Sequence, residues 1–147
     1  MTGWLLDTNV LSELRRPRPE PRVTAFVAGQ PIGDLFVSDM TLAELRYGTE
    51  LVPDPSKRSA LQHWLTHTLR PLFTDRVLPV NEDILVKWQV LAEHYRRSGR
   101  VAPGADLIIA ATALLNGLTV VTRNTADFTL SAVPVFNPWA DQPPVSD

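Results

Sequence analysis

With 147 residues, 44% hydrophobic and 20% charged, the chain is long enough for one domain with a real core and has the balance of an ordinary globular protein. Its net charge of −2 argues against tight nucleic-acid binding over the whole surface but leaves room for a local phosphate site. The absence of cysteine excludes disulfides, thiolate catalysis and cysteine-ligated zinc, and it fits a reducing cytosol.

Strand-like and helix-like segments alternate. An apolar strand over Gly3–Leu6 is followed by a helix over 8–16, with Val10, Leu11 and Leu14 on one face, which prolines 17, 19 and 21 end. A short helix over 22–28 stops near Gly29, a strand covers Leu35–Ser38, and a helix covers 41–49. Asp54 caps the next helix with Pro55 at its first position, and Leu61, Trp64, Leu65, Thr68 and Leu69 form its apolar face. A strand over 76–80 leads to a long helix capped by Asn81, with Ile84, Leu85, Trp88, Leu91, Ala92 and Tyr95 inward and an end near Gly99. An apolar helix over Ala105–Asn116 closes at Gly117, and strands follow over 118–122 and 133–136. This order predicts an α/β fold: a central parallel sheet of about four to five strands, covered by helices on both faces. Residues 1–140 form the single domain and 141–147 a flexible C-terminal tail. Asp7 comes too soon for a signal-peptide core, and no apolar run reaches the roughly 20 residues that span a bilayer, so no membrane association is expected.

Four acidic residues stand in apolar frames: Asp7 in Leu5-Leu6-Asp7-Thr8-Asn9, Glu44 in Thr41-Leu42-Ala43-Glu44-Leu45, Asp106 before Leu107-Ile108-Ile109-Ala110, and Asp127 before Phe128. A carboxylate beside a core is costly unless compensated, and several together repel unless a proton or cation intervenes. Ligands of parallel sheets sit at the carboxyl ends of the strands, where all four can meet. A hard divalent cation held by oxygen ligands would suit such a cluster, with metal-assisted hydrolysis of phosphodiesters as the chemistry. Each acid also has a plain structural role open to it. Asp7 can cap the first helix, Thr41 and Glu44 match a capping box, Asp106 suits the dipole of a first helical turn, and Asp127 suits a turn. Asp34, Asp39, Asp54, Asp75 and Asp83 lack the apolar framing and read as turn or cap residues.

His63 and His67 are spaced i, i+4, but Trp64 follows the first, so the zinc-protease pattern fails and the pair reads as solvated. Trp64 and Trp88 fall on apolar faces and read as core. The serine-hydrolase elbow, the phosphate-binding glycine–lysine loop and the dinucleotide glycine fingerprint are all missing. Of 14 basic residues, 12 are arginine, the exceptions being Lys57 and Lys87. That is either a compositional bias or a supply of planar, bidentate phosphate contacts.

Taken in order, Leu5-Leu6-Asp7-Thr8-Asn9-Val10-Leu11-Ser12-Glu13, Thr41-Leu42-Ala43-Glu44-Leu45-Arg46-Tyr47-Gly48, Asp106-Leu107-Ile108-Ile109-Ala110-Ala111-Thr112-Ala113 and Val135-Phe136-Asn137-Pro138-Trp139 resemble a PIN-domain ribonuclease. Within that family the chain is most similar to VapC-type toxins of bacterial toxin–antitoxin pairs, FitB-like subgroup. The resemblance implies an α/β/α sandwich and an endoribonuclease that uses one or two Mg²⁺ or Mn²⁺ ions. It makes Asp7, Glu44 and Asp106 metal-binding, catalytic acids. Some relatives carry a fourth aspartate directly after the Thr-Arg pair, where this chain has Asn124; others use the acid three residues later, Asp127 here. Asp127 is taken as the fourth acid, with Asn124 and Thr122 as polar support and Asn9 holding Asp7 in place. Arg46 and Arg123 are candidates for RNA phosphate contacts or for salt bridges that organise the acids.

The substrate so implied is a single-stranded region of RNA, often in a transfer RNA, whose cleavage inhibits translation. The implied partners are a cognate antitoxin that lays a helix in a groove, a second copy in a homodimer, and promoter DNA reached through the antitoxin. The implied location is the cytoplasm. Three alternatives stand beside this reading. A phosphatase with an aspartyl nucleophile needs a second aspartate where Asn9 stands. A receiver domain needs an acceptor after a central strand, where only Glu82 and Asp83 are near. A catalytically weak PIN-like binding module would keep RNA or protein binding without Asp7.

Overall fold

Alternating apolar side chains along each short strand sort themselves onto two buried faces, and this builds the fold. In the computed structural model, which describes residues 3–101 and 104–142, five parallel strands form one sheet. These are β1 (Gly3–Leu6), β2 (Leu35–Ser38), β3 (Val77–Leu78), β4 (Leu118–Val121) and β5 (Val135–Phe136), in the order β3-β2-β1-β4-β5. Helices connect them: α1 (Thr8–Leu14), α2 (Pro21–Gly29), α3 (Asp39–Glu50), α4 (Pro55–Trp64), α5 (Arg70–Leu72), α6 (Glu82–Arg97) and α7 (Ala105–Asn116).

Trp4, Leu6, Leu35, Val37 and Val121 point to one face, where they meet Val10, Leu11, Val23, Phe26, Leu42, Leu65 and Leu69 from α1 to α5 and the turn before it. Trp4, Phe26 and Phe136 close this core with ring centroids 4.7–5.7 Å apart, Trp4 standing edge-on to Phe26. Leu5, Leu118 and Val120 point to the other face, against Ile84, Leu91 and Tyr95 of α6 and Leu107, Ile109 and Ala110 of α7. Such two-sided burial is what makes parallel strands read as unbroken apolar runs. Gly3 packs closely: a Cβ there would lie 2.6 Å from Leu118 Cδ2, so the end of that side chain would have to shift to admit one. Gly117 ends α7 in the left-handed conformation, φ +65°, as a C-terminal glycine does.

The strand order sets the position of the site. From β1 the chain winds outward to β2 and β3, then returns across the sheet to β4 on the other side of β1. The carboxyl ends of β1 and β4 therefore flank a topological switch point, where such sheets leave a crevice. The register places Leu6 beside Val121, so Asp7 and Thr122 leave their strands side by side.

Most predicted elements stand, and four details are corrected. α3 starts at Asp39, capped by Ser38, whose hydroxyl accepts from Met40 N at 2.9 Å. Thr41 therefore lies inside the helix and the capping box does not form. A π-helical turn over Leu65–Leu69 widens the end of α4 and turns Thr68 out to solvent while Leu65 and Leu69 stay buried. Leu85 flanks the buried stripe of Ile84, Leu91 and Tyr95 and is 40% exposed. The segment after β4, in which the sequence suits Asp127 to a turn, is a 3₁₀ helix over Thr125–Ser131. The caps by Asp54 and Asn81 form, accepting from Ser56 N at 3.0 Å and Ile84 N at 3.1 Å. In the expected tail, Asp141 accepts from Asn137 N at 2.8 Å, and residues 143–147 lie outside the described residues.

Candidate active site

β1 ends at a carboxylate that serves two purposes. Asp7 is the N-cap of α1, its Oδ1 accepting from Thr8 N at 2.8 Å, so the capping role open to it in sequence is real. Its Oδ2 accepts from Thr122 Oγ1 at 2.8 Å and Asn9 Nδ2 at 3.3 Å, across the switch point. Thr122 Oγ1 in turn accepts from Asn124 N at 3.0 Å and Asn9 Nδ2 at 3.2 Å, and Asn9 Oδ1 accepts from Arg123 N at 3.2 Å. Asn9, Thr122 and the backbone N–H of Asn124 thus form one network around Asp7, while the exposed Asn124 side chain takes no part in it. Only 3% of Asp7 is exposed.

Glu44 comes from the second turn of α3. Its Oε1 accepts from Thr8 Oγ1 at 2.9 Å, which ties α3 to the start of α1. Asp106 stands in the first turn of α7, and its carboxyl lies close enough to Asp127 in the 3₁₀ helix for the two to interact. Tyr95 holds that 3₁₀ helix by donating its hydroxyl hydrogen to the Asp127 carbonyl at 3.0 Å.

The four acids feel one another. Burial is the main cause that raises the Asp7 pKa; its hydrogen bonds from Thr122, Thr8 and Asn9 oppose this, and the Asp127 charge adds to it. Burial also raises Glu44, with the Thr8 hydrogen bond opposing and the Asp7 charge adding. Asp106 is pushed up to about 7, first by burial, then by the Asp7 charge, the hydrogen bond and charge of Asp127, and the Glu44 charge. Like charges held together raise each other's proton affinity in this way. Near neutral pH the proton of Asp106 is therefore poised between loss and retention.

Beside three of these acids lies an open cleft of about 510 Å³ lined by Asp7, Thr8, Asn9, Glu44, Asp106, Asn124 and others; Asp127 is exposed outside its lining and reaches the site only as a neighbour of Asp106. Arg123 is in the cleft wall, its guanidinium 5.3 Å from the Trp139 ring centroid. Arg46 is not. It lines a separate depression with Gln62, Thr66 and Arg70, because α3 turns the residue two places after Glu44 away from the acids. The reading of the sequence missed five wall residues, Thr8, Ser12, Glu13, Arg16 and Trp139. Glu13 is 6% exposed, accepting from Arg16 Nη1 at 3.2 Å and Glu20 N at 2.9 Å. Thr8 orients Glu44, Arg16 faces the cleft, and Trp139 is anchored by Arg22, which donates to its carbonyl at 2.7 Å. Thr8 and Glu13 belong to the segment around Asp7, and helical spacing alone does not show which side of α1 forms the wall.

An apolar groove of about 360 Å³ adjoins the cleft through Thr8, Ser12 and Glu44 and continues over Leu45, Leu61, Trp64 and Leu65. Trp64 and Trp88 are partly buried against the two cores, and His63 and His67 are exposed. No helix among the described residues is long and apolar enough to cross a membrane.

Comparison with known proteins gives a consistent result. The family model of the PIN domain matches residues 4–132. Toxin FitB of Neisseria gonorrhoeae is 40% identical over 137 residues, which covers 93% of this chain and 99% of that protein. VapC ribonuclease Y4jK of Sinorhizobium fredii is 38% identical over 135 residues, covering 92% and 96%. The solved structure of FitAB bound to an IR36 DNA fragment superposes with a TM-score of 0.88 at 37% identity, over 95% of this chain and 97% of that one.

Proposed function

Because the chain belongs to the PIN-domain family, we propose that it is a divalent-metal-dependent endoribonuclease, the toxin of a toxin–antitoxin pair. It hydrolyses phosphodiester bonds in single-stranded regions of RNA, with transfer RNA the first substrate to test, and inhibits translation in the cytoplasm until its antitoxin binds. The observation that carries the reading is the approach of Asp7, Glu44 and Asp106, from three separate elements, to one cleft at the switch point of the sheet, with Asp127 next to Asp106. Similarity over nearly the whole chain to one protein named a ribonuclease and another named a toxin supports it.

The donor set suits one or two Mg²⁺ or Mn²⁺ ions, being carboxylate oxygens without nitrogen or sulfur ligands. Burial first, and repulsion from neighbouring carboxylates after it, raises the proton affinities of Asp7, Glu44 and Asp106, and a bound cation would favour their ionised forms. Among the described residues no three such side chains converge to enclose an ion as they stand, so Glu44, Asp106 and Asp127 would have to swing towards it by side-chain rotation. When bound, the cation lowers the pKa of attacking water and offsets charge on the phosphate oxygens.

The chain's own residues do the rest. Asp7 is held in one orientation by Thr8, Thr122 and Asn9, so it presents a preorganised carboxylate. Thr8 aims Glu44. Asp106, whose carboxyl is pushed up to about 7 chiefly by burial, would be held ionised by a bound cation and would serve as one of its oxygen ligands. Arg123, backed by the Trp139 ring, is placed to hold an RNA phosphate.

The antitoxin's helix fits the apolar groove over Leu45, Leu61, Trp64 and Leu65, from which an arginine could reach the acids and supply the charge they lack. The toxin acts as a homodimer, and the antitoxin carries the complex to promoter DNA.

The test is cleavage of total cellular RNA by antitoxin-free protein with Mg²⁺ or Mn²⁺, with EDTA, and beside Asp7→Asn. Discrete fragments that need metal and vanish in the variant are expected. Cleavage indifferent to EDTA and to Asp7 would refute the assignment. RNA binding retained by both proteins without any cleavage would establish a binding module instead.

A further inference from the structure

His63 ends the exposed side of α4 and His67 lies in the π-helical turn that follows. On a regular α-helix, residues four apart are offset by part of a turn. The wider π-helical turn reduces this offset and brings the imidazoles nearly into register, with ring centroids 4.4 Å apart and planes inclined at 39°. Both residues are exposed, and neither ring makes a hydrogen bond within the described chain. Turns of this kind recur at functional positions, because the wider spacing costs helix stability and must be compensated. Two imidazoles at i, i+4 on one helix face are a bidentate nitrogen donor for a transition-metal cation.

We propose that His63 and His67 form a surface site for a borderline divalent cation of the Zn²⁺, Ni²⁺ or Cu²⁺ class, with water completing the coordination. The site differs in chemistry from the acid cleft. Imidazole nitrogen selects the later transition metals, whereas an all-carboxylate cluster suits Mg²⁺ and Mn²⁺. Binding would cross-link the end of α4 to the π-helical turn. Trp64 and Leu65, which line the apolar groove next to Glu44, lie between the two histidines and would be stiffened with them.

The chain contains three histidines, and His94 stands alone on the exposed side of α6, so the protein carries its own control. The experiment is titration with NiCl₂ of the full-length Asp7→Asn protein, followed by NMR of the histidine ring protons. The Asp7→Asn background weakens the acid cleft as a competitor. His63 and His67 resonances should broaden together at substoichiometric Ni²⁺, with His94 affected only at much higher concentration. In His67→Ala the apparent affinity at His63 should fall at least tenfold to that of His94, while circular dichroism stays unchanged because the position is exposed. Equal broadening of all three histidines, or unchanged affinity at His63 in His67→Ala, would overturn the proposal.

Discussion

Replacing Asp106 with Asn should abolish cleavage and at the same time make the protein more stable. Burial, and then a cluster of like charges, pushes the Asp106 carboxyl from 3.8 to about 7. Fully expressed, that difference corresponds to about 4 kcal/mol against the ionised form at pH 7 and above. The group is partly solvated and water screens its neighbours, so the expected penalty is about 1–2 kcal/mol. The sign follows from linkage. Below the unfolded value of 3.8 the carboxyl is neutral in both states and costs nothing. Between about 4 and 7 the unfolded chain loses the proton first and stability falls, and above 7 the full penalty applies. Asn keeps the shape, never ionises and can donate to Asp127. Urea unfolding in EDTA should therefore show little difference between variant and parent at pH 4. At pH 8 the variant midpoint should be higher by roughly 0.5–1 M, taking a slope of about 2 kcal/mol/M. A variant no more stable than the parent at pH 8, or one whose advantage is the same at both pH values, would refute the electrostatic reasoning.

Metal binding should reverse that penalty in the parent: Mg²⁺ or Mn²⁺ at 100 times its dissociation constant would add about 2.7 kcal/mol, seen as a rise in Tm that Asp7→Asn loses. Thr122→Val removes the hydroxyl that donates to buried Asp7 at 2.8 Å and should cost about 1.5–3 kcal/mol in denaturant unfolding, since the acceptor is charged. Thr8→Val frees Glu44 from its donor while leaving the backbone cap on Asp7 intact, so kcat should fall about 10–100-fold with little loss of stability. Arg123→Ala should raise KM for RNA several-fold, whereas Arg46→Ala, facing a different depression, should leave cleavage of a short oligonucleotide unchanged.

The strands and helices were legible because each carries its own local signal. Leu5, Leu6, Val120 and Val121 are apolar runs bounded by polar residues, Asp54-Pro55 and Asn81 announce helix starts, and Gly117 announces an end. The errors fell where a long-range or rarer local geometry overrode the pattern. Ser38, at the end of β2, caps α3 before Thr41 can, and the hydroxyl of Thr41 is left buried without a partner among the described residues. The π-helical turn at Leu65–Leu69 breaks the 3.6-residue period on which the placement of Thr68 rested. Leu85 is apolar but lies beside the stripe rather than on it.

For the site, the sequence by itself determined the residue types and their framing. A carboxylate with apolar neighbours on both sides lies at the edge of a core whatever the fold, and for Asp7, Glu44 and Asp106 the apolar frame and the family motif coincide. Tertiary structure alone decided what the acids touch. The pairing of Leu6 with Val121 brings Asp7 to Thr122, 115 residues further along the chain, and the docking of α3 on α1 brings Glu44 to Thr8. The same packing sends Arg46 to another depression, places Arg123 and Trp139 in the cleft wall, and sets Asp127 against Asp106. The physical reason is one of range. Hydrophobic period, caps and turn residues act within a few positions, whereas burial of the carboxylates, their mutual repulsion and the raised pKa values that follow exist only once separate elements close on one another.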